Sequence, residues 1–213
     1  FLYMSDSQDG DKSFGSLWKN AFKHAKTTFK DAAFLLHGGD IVQNSGDPEL
    51  WKNALEDTSE YSMSMPVLPA SGNHDYWRGY LLGRLHLIYD HFNISIQDQN
   101  TENGIYYSFD YGNCHFTVLN SGDFMESGGG LLDSQLKWFE NDLKTTDKKW
   151  KIVMIHNPIH SPGKYGSQDN WCIVAAKALK PQLTPLLGKY GVDLCLCAHD
   201  HVYSKSYPVT EYG

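Results

Sequence analysis

Asp6-Ser7-Gln8, Gly39-Asp40, Gly72-Asn73-His74-Asp75, His156-Asn157-Pro158 and His199-Asp200-His201 are short polar clusters, and each directly follows an apolar run. Carboxylate, amide and imidazole groups are ligand types for divalent or trivalent metal ions. One such cluster would mean little. A series of them, each at the exit of a strand-like run, points to a pair of metals and to phosphate-ester hydrolysis, in which cations spread the phosphoryl charge.

The elements that must position these residues can be read from the apolar pattern. Strand-like runs occur at Phe1–Met4, Ala33–His37, Met65–Pro69, Ile105–Asp110, Cys114–Leu119, Lys151–Ile155 and Val192–Cys197. Helical spacing links Phe14, Trp18, Ala21, Phe22, Ala25 and Phe29. It also links Leu132, Leu136, Phe139 and Leu143, with Asp133 as the expected N-cap, and Leu183, Leu186, Leu187 and Tyr190 ahead of Gly191 in a C-cap position. Strands alternating with helices predict mostly parallel sheet. The runs flanking Tyr111-Gly112-Asn113 predict an antiparallel hairpin, hence a mixed sheet or two stacked sheets with helices outside. Glu56 to Met65 reads as irregular, the Gly128–Gly130 run as a mobile surface loop, and the aromatic stretch from Tyr76 to Asn103 as an excursion packed on the sheet edge.

In open α/β sheets, ligands bind outside the carboxyl ends of strands. Asp6, Asp40, Asn73, His156, His199 and His201 all fall just past such ends, so they converge on one rim. Gly38-Gly39 and Gly72 suit sharp turns that aim the next side chain into the site.

With 213 residues, the chain fits one domain, and its 41% apolar and 14% aromatic content is that of a globular protein. A formal charge of -7 argues against a stable nucleic-acid partner, although bound cations would still attract a small-molecule phosphate ester. No run approaches the roughly 20 apolar residues that span a membrane. The abrupt ends at Phe1 and Gly213 read as a domain excised from a longer chain. Cys114, Cys172, Cys195 and Cys197 read as buried free thiols, and His24, His86, His91 and His115 as satisfied core groups. Arg78 and Arg84 read as solvated surface charges.

These clusters, in this order, resemble the calcineurin-like metallophosphoesterases, most closely the purple acid phosphatase branch. The segment Tyr107-Ser108-Phe109-Asp110-Tyr111-Gly112-Asn113-Cys114-His115-Phe116 and the later Gln135–Glu140 stretch resemble that branch too. The resemblance implies an α/β fold, a four-layer α-β-β-α sandwich of two mixed β-sheets flanked by helices, as one catalytic domain over 1–213. It implies two metal ions (manganese, zinc or iron), with Asp40 bridging them, Asp6 and His201 on the first, and Asn73, His156 and His199 on the second. Asn73 and His74 would also meet the substrate. His74 would act as general acid, with Asp75 orienting its ring, and a metal-bound hydroxide would attack phosphorus in line. Similar phosphatases are often secreted or attached to the cell surface.

Two departures matter. The family places His two residues after the first Asp, where this chain has Gln8, whose amide oxygen is the expected weaker ligand of the first metal. The purple branch places Tyr three residues after the bridging Asp, where this chain has Gln43, so a colourless protein is expected. His160, four residues past His156, is a candidate phosphate contact. The expected activity is phosphomonoester hydrolysis. The alternatives are a phosphodiesterase acting on nucleotides or cyclic nucleotides, and a non-catalytic binding domain with a degenerate first metal site.

Overall fold

Period-two alternation explains why the chain builds two sheets with helices outside. In the computed structural model, residues 1–8, 15–75, 88, 91–94, 106–122, 130–161 and 171–210 are described, with the backbone alone at 15–16 and 171–176. Strands β1 (Leu2–Met4), β2 (Leu35–His37) and β3 (Val67–Pro69) pair in that order, all parallel. Strands β4 (Tyr107–Tyr111), β5 (Cys114–Leu119), β6 (Trp150–Ile155) and β7 (Leu194–Cys197) form a mixed sheet. There β4 and β5 make the expected antiparallel hairpin, turning at Gly112 with φ of 59°, while β5, β6 and β7 run parallel.

Successive side chains point to opposite faces of a strand. Leu36 therefore joins Phe116, Val118, Ile152 and Met154 in a core between the sheets, while its neighbour Leu35 packs outward with Trp18 and Phe22 of α1 (Gly15–Thr28). Tyr61, near the end of α2 (Pro48–Ser62), closes that outer layer. On the other sheet Leu119, Val153 and Ile155 face outward onto Phe139 and Leu143 of α3 (Asp133–Thr145) and Leu179 and Leu183 of α4 (Trp171–Lys189). The order helix, sheet, sheet, helix follows directly. Burying each such Leu or Phe contributes roughly 1.5–3 kcal/mol.

Several expectations are corrected. Glu56–Ser62 is helical, as part of α2, whose N-terminus is set by Asp47 accepting from Glu49 N–H at 3.0 Å with Pro48 at the first position. Leu132, not Asp133, is the N-cap of α3, and Asp133 lies in its first turn. Gly130 is buried against the Gln182 side chain, which bonds both N–H and C=O of Leu131, while Gly128 and Gly129 lie outside the described residues. His24 is exposed on α1. His91 stacks on Trp51, and His115 is buried between Asp110 and Asp142. Ile105, Arg78, Arg84, His86 and most of the aromatic stretch lie outside the described residues. Cys114, Cys195 and Cys197 are free thiols, each partly buried. No described helix is long and apolar enough to cross a membrane.

Register brings the strand ends level. Met4, His37 and Pro69 align across the first sheet, and Leu119, Ile155 and Cys197 align across the second. The Tyr3 hydroxyl on β1 donates to Cys197 C=O at 2.7 Å, joining the two sheets beside this rim.

Candidate metal centre

Among the described residues, five that are not glycine have positive φ: Asp6 (52°), Gln8 (42°), Asp40 (55°), His199 (72°) and His201 (51°). All are candidate ligands. A side chain in the left-handed region costs on the order of 1–3 kcal/mol and persists only where its surroundings over-determine it. Here they do. Asp6 N–H bonds Gly39 C=O at 3.0 Å and Gln8 N–H bonds Asp40 C=O at 2.8 Å, so the first turn is zipped onto the second. Gly39 (φ 99°) and Gly72 face each other below Asp40. A Cβ at Gly39 would lie 2.7 Å from Gly72 N, and one at Gly72 would meet Asp40 and His156.

The turns deliver two acid–imidazole groups whose ligand atoms each lie within 4.8 Å of one another: Asp40 with His156 and His199, and Asp40 with Asp6 and His201. Asp40 is common to both. In the first of these, His156 is fully buried, and its Nδ1 faces Gly38 C=O at 2.9 Å, an acceptor that requires Nδ1–H. In the neutral ring Nε2 then carries a lone pair. It points at two acceptors, Asn73 Oδ1 at 3.1 Å and Asp40 Oδ2 at 3.4 Å, and lies 3.1 Å from His199 Nδ1. Converging lone pairs call for a cation. Without one, a proton takes the place: burial disfavours charge on His156, but Asp40 outweighs it and raises the ring to about 9. Burial, then the charge on His156, depress His199 to about 4. The donor set therefore fits a metal ion.

The other group is looser. Both Asp6 oxygens accept from His199 N–H at 3.1 Å, and His201 Nε2 lies 3.5 Å from Asp6 Oδ1. The His201 side chain is 48% exposed.

The sequence profile of the calcineurin-like phosphoesterases matches residues 1–203. The chain belongs to the calcineurin-like phosphoesterase family. Its relatives include mouse "Acid phosphatase type 7", 24% identical over 193 residues, covering 84% of this chain and 42% of that one. "Probable purple acid phosphatase 20" of Arabidopsis thaliana is 23% identical, covering 92% of this chain and 45% of that one. A solved purple acid phosphatase from yellow lupin seeds superposes with a TM-score of 0.72 at 19% identity, over 93% of this chain and 37% of that one. This phosphoesterase chain thus spans less than half the length of these relatives. The fold is the metallophosphoesterase sandwich, and the family implies divalent metal ions, for which the two groups sharing Asp40 are the candidate ligands.

The remaining predicted residues separate into those gathered at this site and those kept apart. Asn73 is gathered in, with Oδ1 on His156. His74 is tied to the site by its backbone N–H, which bonds Asp40 Oδ1 at 2.8 Å. Its ring is held by a different group from the one expected: Nδ1 lies 2.9 Å from Gln43 C=O. Asp75 instead sends Oδ2 to Asp40 N–H at 2.8 Å and Gly72 N–H at 2.9 Å, and Oδ1 to Ile41 N–H at 2.9 Å. Its carboxyl is pushed upward by burial and then by Asp40. The correction has a physical reason. A buried carboxylate beside another gains more from several backbone N–H donors than from one imidazole. His160 is exposed, with its ring lowered by burial and by Lys180.

Sequence reasoning passed over three supports. Gln135, fully buried on α3, bonds both N–H and C=O of Asn120, immediately after β5. Ser121 Oγ donates to Asn157 Oδ1 at 2.7 Å, tying the turn after β5 to that after β6. The third support is Ser7 on His37, with Oγ 3.0 Å from Nε2. A buried polar side chain within an apolar run is the one signal in the sequence that marks His37.

Proposed function

We propose that the chain is a metal-dependent phosphoesterase that hydrolyses phosphate monoesters of small molecules at a two-metal centre. The observation that carries this reading is the sharing of Asp40 between two ligand groups, since a carboxylate common to both offsets the repulsion between close cations. Asp6, Asp40 and His201, with Gln8 beside them, hold the first ion. Asp40, Asn73, His156 and His199 hold the second. Bound there, the ions would supply Lewis acidity for attack on the phosphate ester.

The chain's own groups do the rest. His156 keeps its Nδ1 proton on Gly38 C=O, so Nε2 is the nitrogen turned towards the ion. His74 keeps its Nδ1 proton on Gln43 C=O, so the doubly protonated imidazolium hands its Nε2 proton to the leaving oxygen and returns to the neutral Nδ1–H form. Asp75 holds the Asp40 turn by its N–H groups and acts on the site through Asp40.

The test compares an aryl phosphate monoester with the matching diester on manganese-loaded protein. Faster monoester turnover supports the proposal. Faster diester turnover moves the site to the phosphodiesterase reading, and turnover of neither leaves a metal-binding domain without catalysis.

A further inference from the structure

Ser7 lies between two residues in the left-handed region, Asp6 and Gln8, and turns away from them. Its Oγ donates to Ile41 C=O at 2.9 Å and lies 3.0 Å from His37 Nε2. On the other side of the ring, His37 Nδ1 accepts from Gly39 N–H at 3.2 Å. A ring nitrogen that accepts from an amide carries no proton, so Nε2 carries it and donates to Ser7. The sequence of donors is therefore complete: Gly39 N–H to His37, His37 to Ser7, Ser7 to Ile41 C=O.

We infer that Ser7 and His37 are positioning residues for the first ligand group, locking the turn that bears Asp6 and Gln8 onto the turn that bears Asp40. This rests on the two-metal reading above. Asp6 N–H to Gly39 and Gln8 N–H to Asp40 are two rungs between the turns, and the Ser7 hydroxyl to Ile41 is a third. The third rung differs in being made by a side chain, and its oxygen stays in place because His37 donates to it. His37 is itself fully buried, set edge-on to Trp18 at 5.1 Å between ring centroids. It is part of the first sheet, through β2, and so passes the rigidity of that sheet to the turn. Ser7 and His37 also reach the backbone on either side of the shared Asp40, but Asp75 holds that turn independently through the N–H groups of Asp40 and Ile41 and Gly38 C=O fixes His156, so the loss of Ser7 or His37 falls on the turn of the first group. His37 also borders a cavity of about 240 Å³ lined by Phe22, Ile41, Ala54 and Phe92, which leaves room for a side chain of another shape.

Calorimetric titration of the metal-free chain with manganese alone, read as two binding steps, tests the inference. Ser7→Ala weakens the looser step by about 10–100-fold, the range for groups that orient ligands without touching the metal, and leaves the tighter step unchanged. Ser7→Thr keeps the hydroxyl and restores the looser step. His37→Gln retains a donor towards Ser7 and keeps more of the looser step than His37→Asn, which retains only an acceptor for Gly39. In ¹⁵N spectra His37 shows a protonated Nε2 and a bare Nδ1. Equal weakening of both steps by Ser7→Ala, no weakening at all, or the opposite tautomer overturns the inference. An unsubstituted chain that takes up only one ion overturns the two-metal reading itself, and that failure is visible before any variant is made.

Discussion

The two ligand groups share Asp40 and differ in almost everything else. Around His156 and His199 the site is buried, and the His156 ring is pinned by a backbone carbonyl. Around Asp6 and His201 the site opens to solvent, and its imidazole belongs to a residue whose neighbours from Val202 to Thr210 are all exposed. Preorganised donors lose little freedom when they bind, whereas an exposed ring must be ordered first. The contrast teaches that the bridge residue is built into the rigid half, and the second half is added to it. The expected consequence is stepwise loading, with the His156 group filled first.

The largest expected effect removes the shared residue. Asp40→Ala abolishes binding of both ions, measured by elemental analysis after reconstitution, and activity goes with them. Two tightly held ions in that variant would break the comparison, since the groups would then be independent. Gly72→Ala comes next. The new Cβ has no space between Asp40 and His156, so the buried group is distorted and the tighter binding step is lost. By contrast, His201→Ala weakens only the looser step, and raising the metal concentration restores activity. If the two substitutions gave the same binding curve, the asymmetry would be wrong.

A smaller effect leaves both groups filled. His74→Ala keeps metal content and lowers turnover of an alkyl phosphate by about 10²–10⁴-fold, the range for a general acid. Unchanged turnover with that poor leaving group removes the proton from His74.

The smallest effect lies away from both groups and serves as their control. His115, early in β5, bonds Asp110 through Nδ1 at 2.8 Å and Asp142 of α3 through Nε2 at 2.9 Å, and Lys148 sits 3.6 Å from Asp110. Burial lowers the ring's pKa, but the two carboxylates outweigh it and the net shift is upward. A raised folded value means the stabilisation is complete below the unfolded value of about 6.5 and fades as pH climbs through the folded value. The difference in melting temperature between the unsubstituted metal-free chain and a His115→Gln variant cancels the raised groups of the metal site, and it therefore shrinks from pH 6 upward. His115→Gln costs about 1–3 kcal/mol at pH 6, less at higher pH, without changing either binding step. A metal-binding change in that variant would show the two ends of the sheet to be coupled.

Much of this was legible in the sequence because strands and their exits carry strong local signals. Apolar runs ending in Asp, Asn or His marked the strands and the rim. Helix α2 was missed because its buried face includes Thr58 and Tyr61 among many charged residues, so its periodicity is faint, although Asp47-Pro48 announced its start. The role of Asp75 was illegible for a different reason. Its partners are backbone N–H groups of residues 40, 41 and 72, and a main-chain donor leaves no mark on residue type. His24 shows the converse, since an isolated polar residue on a helix does not reveal which face it occupies.

The bonds that close the site join β1 and the turn after it to β7 and the turn after it. Tyr3 reaches Cys197, and Asp6 reaches His199 across 193 positions. During synthesis, which proceeds from the N-terminus, Asp40, Asn73 and His156 emerge before their partners His199 and His201. Metal capture is therefore a late event, possible only once the last strand has docked against the first. A filled site thus reports that β7 is in place, and a nascent chain stalled before β7 has no complete site with which to trap an ion.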